Sequence, residues 1–357
     1  MTVQLRVVLD QAAQVVDADQ ARAALALTVG LVHTAPRGCA VSVIVPSGAK
    51  PKIAGLHDVR TLSLGRRELL GAWQMGFTPG VGGGLVHAPS LMAPLVRHDR
   101  SHDQHQTTVT LWDLLAWDSP AVMSKQAVSW QKAMLKRAVK HADAVIVPSH
   151  SIASRLAEIA PLGDRIRVVS GAAPTGFHVP SDSVARRARL RLPRRYVVLT
   201  GDSESLGAGF RAAAHADVDA VVMDAADGTE PMLADVAAAA GLPEQRAHIR
   251  GVLGDDDRAA TFGGAAAVVA TSEAMAWPWR IVEAMHLRVP MLAVASGVHH
   301  DVIADGGLVV DAEELPDALK DALNSDMQRL RVLAADRARA FSWQSSAERV
   351  WALHAEL

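Results

Sequence analysis

The sequence predicts an α/β fold of two doubly wound, Rossmann-like domains facing across a cleft, and three observations lead there. Short β-branched runs alternate with alanine-rich stretches of helical length, the pattern of a parallel sheet covered by helices on both faces. The same pattern restarts after a Gly/Pro/Ser-rich stretch that follows Gly171. At 357 residues, the chain is also longer than one hydrophobic core usually organises.

In the first half, strands are expected at Gln4–Leu9, Ala40–Val45, Gly84–His87, Thr107–Leu111, Ala144–Val147 and Arg165–Val169. Helices are expected at Ala18–His33, Leu64–Met75, Ser124–His141 and Ser151–Ile159. The two prolines of Ala172-Ala-Pro-Thr-Gly-Phe-His-Val-Pro-Ser-Asp break any helix, and an arginine-dense segment, Arg186–Arg195, follows. The second half has strands at Tyr196–Thr200, Ala220–Asp224, His248–Val252, Ala267–Thr271, Pro290–Val294 and Leu308–Val310. The domains expected are therefore 1–182 and 183–340, with a last helix in 341–357. Sheets of this kind bind ligands beyond the carboxyl ends of their strands.

Composition narrows the function. Half the residues are apolar and 21% are charged, so the chain is neither disordered nor, lacking a run of about 18–20 apolar residues, integral to a membrane. Lys+Arg 36 against Asp+Glu 38 gives a net charge of −2, without the positive excess that drives binding to nucleic acid. Cys39, the single cysteine, forms no internal disulfide, and Met1–Asp10 reads as a strand rather than a secretion signal, which fits a reducing cytoplasm. No Gly-x-Ser-x-Gly elbow, Walker loop or Cys-x-x-Cys pair occurs.

The stretch Lys136-Arg-Ala-Val-Lys-His-Ala-Asp-Ala-Val-Ile-Val-Pro-Ser resembles the segment of family-four GT-B glycosyltransferases in which a basic helix leads into a strand. Further pieces match in order: Arg165-Ile-Arg-Val-Val, Tyr196-Val-Val-Leu-Thr-Gly, His248-Ile-Arg-Gly-Val, Val282-Glu-Ala-Met, Val289-Pro-Met-Leu-Ala, Asp305-Gly-Gly-Leu-Val-Val-Asp and Phe341-Ser-Trp. Gly84-Leu-Val-His-Ala-Pro-Ser-Leu-Met-Ala-Pro-Leu is similar to actinobacterial mannosyltransferase-like proteins. The resemblance implies a cytoplasmic retaining enzyme that moves a hexose, mannose in the first instance, from a nucleotide diphosphate sugar to a glycan or lipid-linked acceptor. It implies no metal or other cofactor. It also implies a donor on the second domain, an acceptor on the first, and a last helix crossing back to the first domain.

Carried over residue by residue, the resemblance gives Glu283 the nucleotide ribose, the Val252 region the base and Gly201 the turn beside the donor. Asp301 stands where the family often has glutamate. A second family glutamate, eight positions before Glu283, falls on Met275, and the nearest acid is Glu273. The Arg-Lys pair that neutralises the diphosphate is replaced in Gly201-Asp-Ser-Glu-Ser-Leu-Gly. The acceptor-side His-Asp pair reads Trp112-Asp113, and the Gly-rich first loop reads Gln14-Val-Val-Asp-Ala-Asp-Gln-Ala. Arg280, at the start of the helix that carries Glu283, is the expected substitute cation, with helix amides beside it; a plain surface arginine is the alternative. The catalytic set expected is Asp113, Arg280 and Glu273, with His87 and Trp112 on the acceptor side; for His87 a buried, hydrogen-bonded histidine is the alternative and the more frequent outcome. These departures motivate a second reading: a catalytically impaired glycosyltransferase-like subunit that organises an active partner glycosyltransferase.

Other signals carry bland alternatives beside the sharp ones. His98, His102 and His105 with Asp99 and Asp103 suggest a metal site or a solvated polar loop. Lys125, Lys132, Lys136 and Lys140 flank the apolar face of one helix and suit peripheral contact with anionic lipid or a phosphorylated acceptor, or ordinary solvent exposure. Gly207-x-Gly-x-x-Ala is a weak dinucleotide fingerprint, six residues beyond the strand-end Gly201. Trp277 and Trp279 suit sugar stacking or core packing.

Overall fold

The computed structural model describes residues 2–98 and 105–357. They fall into two units. The first comprises Met1–Pro174, Ala274–Trp277 and Ser342–Leu357, the second Thr175–Glu273 and Pro278–Phe341.

In the first unit the chain runs β1 (Val3–Val8), α1 (Ala18–His33), β2 (Cys39–Val45), β3 (Asp58–Thr61), α2 (Arg66–Gln74), β4 (Leu85–Ala88), β5 (Gln106–Thr110), a short α3 (Leu115–Asp118), α4 (Lys125–His141), β6 (Ala144–Val147), α5 (His150–Ile159) and β7 (Ile166–Val168). The described strands form a parallel seven-stranded sheet in the order β3-β2-β1-β4-β5-β6-β7. Val7 lies opposite Val43 on one side and His87 on the other. Leu5, Val7, Val43, Ala88 and Val109 are fully buried, which explains why these strands read as continuous apolar runs rather than alternating ones. Strand β3 was not expected from sequence: all of its Asp-Val-Arg-Thr is exposed at the sheet edge, so it carries no apolar signal.

In the second unit the order is α6 (Ser183–Arg189), β8 (Tyr196–Thr200), α7 (Leu206–His215), β9 (Asp219–Val222), α8 (Glu230–Ala239), β10 (Ala247–Ile249), α9 (Asp255–Gly264), β11 (Ala267–Ala270), α10 (Trp279–His286), β12 (Met291–Val294), α11 (Gly297–Val302), β13 (Leu308–Val310), α12 (Leu315–Asp321) and α13 (Met327–Ala338). Its described strands form a parallel six-stranded sheet, β10-β9-β8-β11-β12-β13. The order reverses between β8 and β11, as it does between β1 and β4 in the first sheet, and such reversals open the crevices in which ligands bind. Among the described residues no helix is long and apolar enough to cross a membrane.

The last helix, α14 (Trp343–Glu356), belongs to the first unit and lies along α1. Ser342 caps it by accepting from the Ser345 amide. The indole N–H groups of Trp343 and Trp351 donate to the carbonyls of Ala173 and Leu31 at 2.8 and 3.1 Å. The two helices approach so closely that a Cβ on Gly30 would lie 2.8 Å from the Trp343 carbonyl oxygen. Gly30→Val is therefore expected to cost about 2 kcal/mol through overpacking. Gly71→Ala on α2 meets nothing within 4 Å and is expected to stabilise by up to about 1 kcal/mol. Urea denaturation of the two variants checks the opposite signs.

Candidate functional site

A 920 Å³ pocket opens in the first unit beyond the carboxyl ends of β1 and β5. Its buried lining includes Asp10, Gln11, Thr110 and Trp112, its half-buried lining Asp17, Arg66, Asp113, Trp130 and Gln131, and Arg67 stands exposed among the residues around it. Strand β1 ends just before Asp10, whose carboxylate accepts from Arg66 Nε at 3.1 Å and from the Ser90 hydroxyl at 3.2 Å. Burial pushes the Asp10 carboxyl above the usual range, and Arg66 and these hydrogen bonds pull against that rise. Gln11 turns its amide oxygen onto the backbone N–H groups of Val16 and Asp17, both at 2.8 Å, and Asp17 caps α1.

Trp112 and Asp113 follow β5. Asp113 lines the pocket; one of its oxygens accepts from the Leu115 amide at 3.1 Å. Burial raises its pKa, the Leu115 amide opposes that, and the nearby Asp17 charge adds to the rise. Trp112 is buried and donates its indole N–H to the Pro89 carbonyl at 2.9 Å. The segment Ala274–Trp277 is part of this unit: Leu114 donates to the Met275 carbonyl at 2.7 Å and Trp277 to the Trp112 carbonyl at 2.9 Å. Met275, where the resemblance calls for a glutamate, is thus held within two residues of Asp113 along a short backbone pairing.

Of the two readings of His87, the structure takes the buried one and not the acceptor-side one. His87 is wholly buried in the middle of the sheet and does not line the pocket, so it cannot meet an acceptor there. Its Nδ1 bonds the Thr108 hydroxyl at 2.9 Å, that hydroxyl reaches His354 Nε2 at 3.2 Å, and His354 Nδ1 bonds the Gln106 amide oxygen at 3.0 Å. His87 Nε2 has no hydrogen-bond partner. Burial, with the neighbouring His354, lowers the His87 pKa to about 3, and burial lowers that of His354 to about 4.

In the second unit, Glu283 sits in the middle of α10, buried at 2% exposure, and forms a two-pronged pair with Arg258 of α9 at 2.7 and 2.8 Å. Arg258, 1% exposed, had no sequence signal; it also bonds Asp255 and lies over the Phe177 ring. Arg280 does occupy the first turn of α10, but it is not a plain surface arginine. Its Nε donates to Asp224 at 2.5 Å and its NH1 to Glu283 at 3.2 Å. Its charge is therefore already matched by acids of the protein.

The turn after β8 is acidic. A Cβ on Gly201 would lie 2.3 Å from the Thr271 hydroxyl and 2.7 Å from that of Ser205, so any side chain here would displace both hydroxyls. Asp202 then accepts from the amides of Glu204 at 3.1 Å and Ser205 at 2.8 Å, and from the Ser272 hydroxyl at 3.1 Å. Burial works to raise its pKa, but these donors prevail and hold it below the usual range. A carboxylate thus sits in the turn that leads into α7, holding the two amides just before the helix rather than those of its first turn. Glu273 is exposed after β11, Val252 is exposed after β10, and Asp301 is half-buried on α11, where its carbonyl accepts from Arg337. Gly207 and Gly209 lie inside α7, not at a strand-end turn, so the dinucleotide fingerprint does not form.

His102, Asp99 and Asp103 lie outside the described residues. His98 bonds Asp143 at 2.9 Å and the Val96 carbonyl at 3.1 Å, and among the described residues no group of three or more His, Cys, Asp or Glu is placed to hold a metal. Lys125, Lys132, Lys136 and Lys140 are exposed on α4, while Leu135 and Ala138 are buried. Trp277 is core, and Trp279 is half-buried.

No protein-family model matches the chain, and no curated protein matches it. Solved structures do. Sucrose-phosphate synthase from Thermosynechococcus elongatus is 18% identical, with a TM-score of 0.68 over 99% of this chain and 98% of that one. The fold is GT-B. Anabaena HepE in complex with UDP and glucose has the same 18% identity and a TM-score of 0.66, covering 99% of this chain and 100% of that one. The GT-B catalytic domain of Starch Synthase IV from Arabidopsis thaliana, bound to ADP and acarbose, gives 13% identity and a TM-score of 0.63 over 99% of both chains. The GT-B likeness therefore runs through both units.

Proposed function

We propose that this GT-B protein is a retaining hexosyltransferase of the family-four type, with a nucleotide diphosphate sugar on the second unit and a hydroxyl-bearing glycan or lipid-linked acceptor on the first. Mannose is the hexose the sequence resemblance favours, a cytoplasmic setting is expected, and no cofactor is invoked. In the transfer, the bond from the anomeric carbon to the diphosphate breaks, a bond to the acceptor oxygen forms, and the acceptor's proton leaves with the nucleoside diphosphate. What carries the reading is the end-to-end fold likeness to sugar-nucleotide transferases. Glu283 would meet the ribose, the Val252 loop the base, Gly201 the donor at close approach, and Arg280 the diphosphate, with Asp301 and Glu273 near the sugar and Asp113 on the acceptor side.

For Arg280 and Glu283 to take these roles, a ligand must compete with Asp224 and Arg258 for them. Isothermal titration with GDP, UDP and GDP-mannose is expected to give binding of at least one of them, weakened at least tenfold in Glu283→Ala. Absence of binding by all three would defeat the donor reading.

One observation favours the second reading, a non-catalysing subunit that organises an active partner glycosyltransferase. Asp224 holds Arg280, so the cation suited to a departing diphosphate is already used within the protein, and Asp202 adds a carboxylate to the turn before α7. Removing a single oxyanion donor typically costs about 10²–10³ in rate. Donor turnover by the isolated protein, abolished by Arg280→Ala, rejects this second reading.

A further inference from the structure

Asp224, just beyond the end of β9, is held in place at two costs. Its φ is +62°, in the left-handed region that glycine favours. Among the described residues, the other non-glycine positions with positive φ are Arg191, Asp217, Arg288 and Ala304, and they follow helices, where a left-handed residue is a common stop. Asp224 follows a strand instead. The backbone around it is pinned: the Asp224 N–H donates to the Gly251 carbonyl at 3.3 Å and the Ala225 N–H to the Arg250 carbonyl at 3.1 Å. The second cost lies in the carboxylate. Its Oδ2 accepts from Arg280 Nε at 2.5 Å, while its Oδ1 is buried with no hydrogen-bond partner. A carboxylate turned to water would leave neither oxygen unmade, and water is within reach, because the side chain as a whole is 27% exposed. Backbone strain and an unmade hydrogen bond kept together at a strand end, beside the helix that carries Glu283, point to a functional contact.

We infer that Asp224 is a displaceable latch: its carboxylate occupies Arg280 in place of an anionic ligand, and a pyrophosphate-bearing molecule binds by taking the guanidinium and turning Asp224 out to water. Once turned out, both oxygens of Asp224 are solvated, which offsets part of the lost ion pair and lets the latch yield. Until then it holds affinity down, because an anion binds only the fraction of molecules in which Arg280 is released. Glu283 has a different part. It also accepts from Arg280, at 3.2 Å, but it is buried and gripped by Arg258, so it stays in place and orients the guanidinium.

This inference deepens the donor side of the proposed function and rests on it, but it is tested with inorganic pyrophosphate, which carries neither base nor sugar. Isothermal titration on the full chain would compare the unaltered protein with two variants. Asp224→Asn keeps the shape and tolerates the left-handed backbone while removing the charge, and Asp224→Gly removes the side chain together with the φ penalty. Both are expected to bind pyrophosphate about tenfold more tightly than the unaltered protein. Adding Arg280→Ala to either is expected to cancel the gain, which a merely structural ion pair would not produce in the first place. No gain in either variant, a gain that survives Arg280→Ala, or loss of the fold in both variants would overturn the inference. Titration with GDP and UDP alongside keeps the two readings apart. A pyrophosphate gain without nucleotide binding upholds the latch and defeats the donor reading, whereas nucleotide binding without a pyrophosphate gain does the reverse.

Discussion

Arg258→Met is expected to lower the stability of the second unit by about 3 kcal/mol, while Arg258→Met combined with Glu283→Leu recovers most of that loss. The single change leaves a carboxylate at 2% exposure without its two-pronged partner, and breaking a buried pair costs about 3–5 kcal/mol because the remaining charge is uncompensated. The lower end applies because Arg280 still reaches Glu283 at 3.2 Å. Methionine keeps contact with the Phe177 ring that Arg258 now covers. The double change removes both desolvated charges and is therefore close to neutral. Urea denaturation, with hydrogen exchange of the α10 amides to locate the loss, checks both results. An equal loss in the single and double variants would mean that packing, not charge, makes these residues important.

Acidification is expected to destabilise the first unit through His87 and His354. Both have folded-state pKa values below the ordinary 6.5, at about 3 and about 4. The unfolded chain therefore binds protons that the folded chain refuses, and stability falls as pH drops. The contribution is fully present above about pH 6.5 and is lost progressively down to the folded values. At pH 5 each histidine lies about 1.5 units below its unfolded pKa, or about 2 kcal/mol, giving about 4 kcal/mol for the pair. The groups facing them are the Thr108 hydroxyl and the Gln106 amide, neither of which carries a charge to stabilise an imidazolium. Denaturation midpoints at pH 7.5 and pH 5 should separate widely for the natural protein. They should separate much less after His87→Gln with His354→Gln, and equal separations would refute the assignment.

The parts of the fold legible in sequence are those fixed by local burial. Strands such as Ala144–Val147, Tyr196–Thr200 and Leu308–Val310 lie where the apolar runs place them, and α1 spans Ala18–His33 as expected. Strand β3 was invisible because an edge strand with four exposed residues needs no apolar side chains. The site was less legible because its partners are remote in sequence. Glu283 could be singled out, but Arg258 is 25 positions away at the start of an acidic helix, where an arginine reads as surface. Arg280 could be placed on a helix start, but not its capture by Asp224, 56 positions earlier. Asp10 and Arg66 had no motif, although the rule that ligands gather beyond strand ends points to the residues after β1. His87 stayed open for a related reason: a histidine at a strand end is compatible with either the pocket or the core, and Thr108 with His354 decides for the core.

The composite make-up of the first unit bears on biosynthesis. Its packing is completed by Ser342–Leu357, and those residues are translated only after every residue of the second unit. A nascent chain stopped at Pro174 would display an α1 surface that Trp343, Ala347 and Trp351 ultimately cover. The α1 surface therefore stays uncovered until the last residues emerge, and a premature stop codon near residue 340 would damage the oldest part of the molecule rather than the newest.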